Sequence, residues 1–78
     1  MAVKVFLVVN TIPKRVKDMY AILKGFEEVT QVCQVENGPY DIIAMVQVAD
    51  LDGYRSLIEK VAAISFAEDF SSFITVDS

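Results

Sequence analysis

Apolar and polar residues are arranged along the chain in six blocks, each with its own period. Residues 2–9 are apolar apart from Lys4 and rich in β-branched side chains, which reads as a strand buried on both faces. Asn10-Thr11-Ile12-Pro13 then breaks the run. Pro13 marks a helix start, because a missing N–H is tolerated in a first turn. Val16, Met19, Tyr20 and Leu23 fall at helical spacing and form one apolar stripe. They predict a helix from about Pro13 to Lys24, with Gly25 as its C-terminal cap.

Residues 28–36, with Val29, Val32 and Val35, read as a second strand. An Asn37-Gly38-Pro39 turn closes it, and residues 40–48 form a third. There Ile42, Ala44, Val46 and Val48 share one side while Ile43 and Met45 share the other, so both faces are largely apolar. Asp50 can cap a second helix carrying the stripe Tyr54, Leu57, Ile58 and Val61. Gly53 should weaken its first turn by about 1 kcal/mol against alanine. Ser65 begins a loop, and residues 66–76 supply a last strand with Phe70, Ile74 and Val76 in phase.

The order β-α-β-β-α-β is the ferredoxin-like α+β pattern, a four-stranded antiparallel sheet. Right-handed crossovers place both helices on one face. The other face is then open. The two central strands, the first and third, carry apolar residues on both sides. A second copy covering the open face is the simplest solution, giving a homodimer of α/β-barrel-like form.

Composition narrows the chemistry. One domain accounts for all 78 residues, and a chain this short has a marginal core of its own. Hydrophobic residues make up 54%, which again implies an exposed apolar face used for association. There is no histidine, which excludes histidine-based acid–base catalysis and most zinc sites. The single cysteine, Cys33, cannot form an internal disulfide and reads as a small buried strand residue. It also suggests a reducing compartment, and with no signal peptide legible the expected location is cytoplasmic. The net charge is −4, although Lys14, Arg15, Lys17 and Lys24 cluster in one segment. Without interleaved aromatics they read as a solvated helix face, not a nucleic-acid patch.

Polar chemistry concentrates at Asn37-Gly38-Pro39-Tyr40-Asp41. An aspartate at the mouth of an apolar strand is disfavoured there, so it needs a partner. Backbone N–H groups of the turn are one candidate and a cationic ligand group is another. Ser71-Ser72 interrupts the last strand, as solvent-facing hydroxyls or as a second lining of a cleft. No phosphate loop, dinucleotide fingerprint or metal-ligand spacing is present, and no cofactor or metal is expected.

With that element order, the run Val35-Glu36-Asn37-Gly38-Pro39-Tyr40-Asp41-Ile42-Ile43-Ala44-Met45-Val46-Gln47-Val48 resembles the RAM domain. RAM (regulation of amino acid metabolism) is the C-terminal effector-binding domain of the Lrp/AsnC transcription regulators, and the likeness spans almost the whole chain. It implies dimers through facing sheets, often assembled into rings. It also implies a small effector, typically an amino acid, bound between dimers beside the hairpin tip. Carried over, the ligand-binding candidates are Asn37, Gly38, Pro39, Tyr40 and Asp41, with Ser71 and Ser72 on the far wall. Backbone N–H groups of Gly38, Tyr40 or Asp41 would hold an α-carboxylate and Asp41 an α-ammonium. The tip is expected at a sheet end, away from the dimer face. The family's helix-turn-helix is not found in these residues, so a module without direct DNA binding is expected, acting through helix-turn-helix-bearing relatives. The chain departs from the family's usual Pro-Gly at Ser65-Phe66 and from a Thr-x-Thr-like stretch around Phe70-Ser71-Ser72. Both changes alter the far wall. Two other readings stay open: a small cofactorless enzyme of the dimeric ferredoxin-like class, and a purely structural oligomerisation domain.

Overall fold

The computed structural model describes residues 3–75. Its elements are β1 (Val3–Thr11), a 3-10 turn at Pro13–Arg15, α1 (Val16–Lys24), β2 (Val29–Gln34), β3 (Ile42–Val48), α2 (Leu51–Ala62) and β4 (Ala67–Thr75). The four strands form one antiparallel sheet in the order β2-β3-β1-β4. The fold is the expected ferredoxin-like one, with β1 and β3 at the centre. Val76, expected in the last strand, lies outside the described residues.

Both helices lie on one face. Met19 and Leu23 from α1, with Leu57 and Val61 from α2, are fully buried against Val5, Leu7, Val9, Ile42, Ala44, Val46 and Val48. These strand residues share one face because side chains alternate along a strand. Val29 and Val32 join the same layer despite their odd spacing. A register shift between Val29 and Gln31 explains it, since the extra residue in β2 turns both valines to the helix side.

The opposite face is apolar and open. In β3 burial alternates strictly, and Ile43 and Met45 point outward at 37% and 38% exposure. Phe6 and Phe73 face each other in the register and are also exposed. Burial on both faces of β1 and β3 is therefore not achieved within a single chain. Cys33 corrects the sequence reading in the same way. It is exposed, because it pairs with Ile43 and so faces the uncovered side.

The helix ends follow local chemistry. Asp50 caps α2 by accepting from Gly53 N–H at 2.9 Å. Gly53 has a second role that helix propensity conceals. A Cβ there would sit 3.1 Å from Val48 Cβ, so the missing side chain lets the first turn of α2 close onto β3. Arg15 pairs with Asp18 at 2.6 Å and its guanidinium lies 4.0 Å from the centre of the Phe66 ring. Lys14, Lys17 and Lys24 are solvent-exposed.

Lys60, near the end of α2, donates to Glu28 at 2.8 Å and lies over the Phe26 ring. This hydrogen bond to Lys60 holds the Glu28 carboxyl below its ordinary value, against the opposing effect of partial burial.

These contacts can be tested by substitution. Gly53→Ala should lose about 1 kcal/mol instead of gaining the helix-propensity difference, because overpacking against Val48 outweighs it. Urea unfolding of the two proteins measures the sign. The Glu28–Lys60 pair is partly exposed and contributes no more than about 1 kcal/mol. A lowered folded-state pKa gives stability that is present above the ordinary carboxylate range and is lost as pH falls through the lowered value. The stability gap between the wild type and Glu28→Gln should accordingly close on acidification, and a gap independent of pH would contradict the charge assignment.

Candidate functional site

The β2–β3 connection is longer than a tight hairpin. β2 ends at Gln34 and β3 begins at Ile42, and Val35 N–H closes the intervening segment on Asp41 O at 2.8 Å. Gly38 has no left-handed backbone. Its contribution is space, since a Cβ there would meet Val35 Cγ1 at 3.3 Å.

The far side of this tip is tied to the end of β1. Asn10 Nδ2 donates to Pro39 O at 2.8 Å, and Asn10 Oδ1 accepts from Asp41 N–H at 3.0 Å. Asp41 N–H also reaches Val9 O at 3.1 Å. Asp41 returns the contact, its Oδ2 accepting from Thr11 N–H at 3.1 Å. Each strand end thus uses a side chain to satisfy backbone groups of the other. Thr11 carries the link onward, donating through Oγ1 to Phe66 O at 2.8 Å. Thr11 is the buried polar side chain of the described core, and this bond satisfies it.

Asp41 therefore has a partner within the chain, though not the turn amides that were one of its two candidates. The N–H it receives belongs to β1. Its own N–H is engaged, which leaves the Asn37, Gly38 and Tyr40 N–H groups as the tip donors without a partner among the described residues. Pro39 has no N–H to offer. Asp41 Oδ1 also has no partner among the described residues.

Tyr40 corrects the expected placement of the tip. Its hydroxyl lies 3.3 Å from Ser71 Oγ, either atom being able to donate. Ser71 pairs with Val8 in the register, on the open face. The Tyr40 side chain must cross β1 near Val8 to reach it, and Val8 is the buried member of that face. The tip thus borders the open face instead of standing apart from it.

Asn37, Gly38 and Pro39 are exposed at the tip, and Tyr40, Asp41 and Ser71 are half-buried beside them. Ser72 is not part of this group. As the next residue in β4 it faces the helices, where its hydroxyl meets that of Tyr54. Asp69 stands opposite Asn10 in the register, so Asp41 and Asp69 give this end of the sheet an acidic character. Two surface depressions, of about 230 Å³ and 280 Å³, lie elsewhere. One is on the open face by Phe6 and Met45, and the other is between α1 and β2 by Tyr20 and Val32. Neither includes a tip residue.

Periodicity marks Asn10 and Thr11 only as breakers of a strand and misses their place in the site. The available signal is their position: the first polar pair after an apolar central strand, at the end where the β2–β3 tip must arrive.

The sheet order and the two packed helices define a ferredoxin-like α+β domain. The chain belongs to the Lrp/AsnC ligand-binding domain family, whose family model matches residues 4–78. No curated protein matches the sequence. Among solved structures, a protein from Thermus thermophilus superposes with a TM-score of 0.91 at 18% identity, covering 97% of this chain and 95% of that one. E. coli AsnC superposes at 0.86 and 23% identity, covering 97% of this chain and 52% of its own. The Neisseria meningitidis transcriptional regulator solved in complex with L-Met superposes at 0.85 and 14% identity, covering 97% and 51%. At these identities the likeness is one of fold. This chain spans about half the length of the two regulators and nearly all of the Thermus protein.

Proposed function

We propose that this domain binds a small effector, an amino acid, at the β2–β3 tip and assembles through its open sheet face. It acts as a regulatory module, not as an enzyme. The observation that carries the reading is the braced tip, which presents free Gly38 and Tyr40 N–H groups and a free Asp41 carboxylate oxygen within one half-exposed cluster. Such a set suits a zwitterion, with donors for the carboxylate and an anionic acceptor for the ammonium. Asn37, Pro39, Tyr40 and Ser71 supply the surrounding wall. The L-Met complex of the Neisseria regulator supports an amino acid as the ligand class.

The two surface depressions described above lie away from the tip. In this reading the cleft is completed by another copy, in an assembly built from dimers. The dimer contact is the face bearing Phe6, Ile43, Met45 and Phe73, whose exposure in water is unfavourable. An effect on transcription through mixed assemblies with helix-turn-helix-bearing relatives is part of this reading. Both helices of the described residues are packed on the sheet. Among the described residues, no helix is long and apolar enough to cross a membrane.

Titration calorimetry with the standard amino acids should find one or more ligands. Asp41→Asn should weaken binding about tenfold or more, as expected for losing a charged partner. This variant retains an acceptor for Thr11 N–H, so the tip stays braced. Unchanged affinity would remove Asp41 from the ligand contacts. In sedimentation the wild type should be a dimer or larger and Phe73→Glu should shift it towards monomer. A folded wild-type monomer at micromolar concentration would contradict the face-to-face assembly.

A further inference from the structure

Asn10 holds both peptide groups that flank Tyr40. Its Nδ2 donates to Pro39 O, and its Oδ1 accepts from Asp41 N–H. The Pro39–Tyr40 peptide is trans, since no peptide bond among the described residues is cis. A trans peptide is planar, with its carbonyl and N–H on opposite sides. Anchoring the Pro39 carbonyl on Asn10 therefore points the Tyr40 N–H away from β1. Anchoring the Asp41 N–H on the same side chain points the Tyr40 carbonyl away from β1 as well. One amide group orients a free donor and its neighbouring acceptor outward together.

Strand termination alone does not account for this side chain. Asp41 N–H already has Val9 O at 3.1 Å, and Thr11 N–H already has the Asp41 carboxylate. The bond that only Asn10 supplies is the one to Pro39 O. Asparagine fits because it carries a donor and an acceptor in one planar group, which aspartate and leucine do not.

We propose that Asn10 is the positioning residue of the effector site. It touches no ligand and aims the Tyr40 N–H at the ligand carboxylate before the ligand arrives. The proposal rests on the effector reading of the tip given above. Its physical benefit is preorganisation. Without the brace, the loop would sample many orientations, and binding would bear the cost of ordering it.

The test combines nitrogen-15 relaxation and hydrogen exchange on the full chain with calorimetry. In the wild type, an Asn10 side-chain N–H should be protected from exchange while Tyr40 N–H is not, a readout that needs no variant. Asn10→Asp keeps the acceptor and loses the donor, and Asn10→Ala loses both. In both variants the Tyr40 amide order parameter should fall from about 0.85 to below ~0.6, with the core amides of Leu7 and Ala44 unchanged. Affinity of Asn10→Asp for whichever amino acid binds the wild type should drop about tenfold or more. A Tyr40 amide as rigid in both variants as in the wild type, or an unprotected Asn10 side chain, would overturn the proposal. If no amino acid binds the wild type, the effector reading fails on that result, and the relaxation and exchange data still decide whether Asn10 orients Tyr40.

Discussion

β1 is hydrogen-bonded along both edges, to β3 on one side and β4 on the other, and everything else is arranged around it. Its inward residues Val5, Leu7 and Val9 form the floor on which α1 and α2 rest. Its outward residues Phe6 and Val8 lie at the middle of the open face. Its last residues, Asn10 and Thr11, receive the β2–β3 tip and the start of β4. A central strand is the one element that touches both halves of the domain. It is therefore where core packing and site geometry meet.

The two faces of the sheet show different physics. Two helices are enough to bury one face of four strands, and the buried layer there is continuous. Nothing within the described chain is left to cover the other, so Phe6, Ile43, Met45 and Phe73 stay partly exposed. Tyr40 covers only the end of that face, through its contact with Ser71. This joins the tip to the open face. A second copy seated on that face, as proposed above, would come up against Tyr40.

Asp41 uses only half of its carboxylate for structure. One carboxylate oxygen ties the tip to β1, and the other remains without a partner among the described residues. Asn10 divides its roles in the same way between a donor and an acceptor. Reciprocal side-chain-to-backbone bonds of this kind replace the ladder hydrogen bonds lost where the strands end. They hold an irregular segment firmly without a regular turn. Such firmness is what a binding loop on a small domain needs, since loosely held donors bind weakly.

Periodicity made the element order, the two central strands, the helix stripes and the one-sided helix layer legible in the residues themselves. These depend on local spacing, and local spacing survives folding. The polar character of Tyr40-Asp41 was legible for the same reason, as an acidic residue placed where strands disfavour one. Other features depend on long-range register and emerge only once the strands are paired. Cys33 is exposed because it faces the uncovered side opposite Ile43. Val29 and Val32 share a face because β2 carries an extra residue. Ser71 and Ser72 part company because one faces Tyr40 and the other Tyr54. Asn10, distant in sequence from the tip, becomes its anchor because the third strand pairs with the first. A side chain's partners across a sheet are set by which residue stands opposite, and no pattern along one strand contains that information.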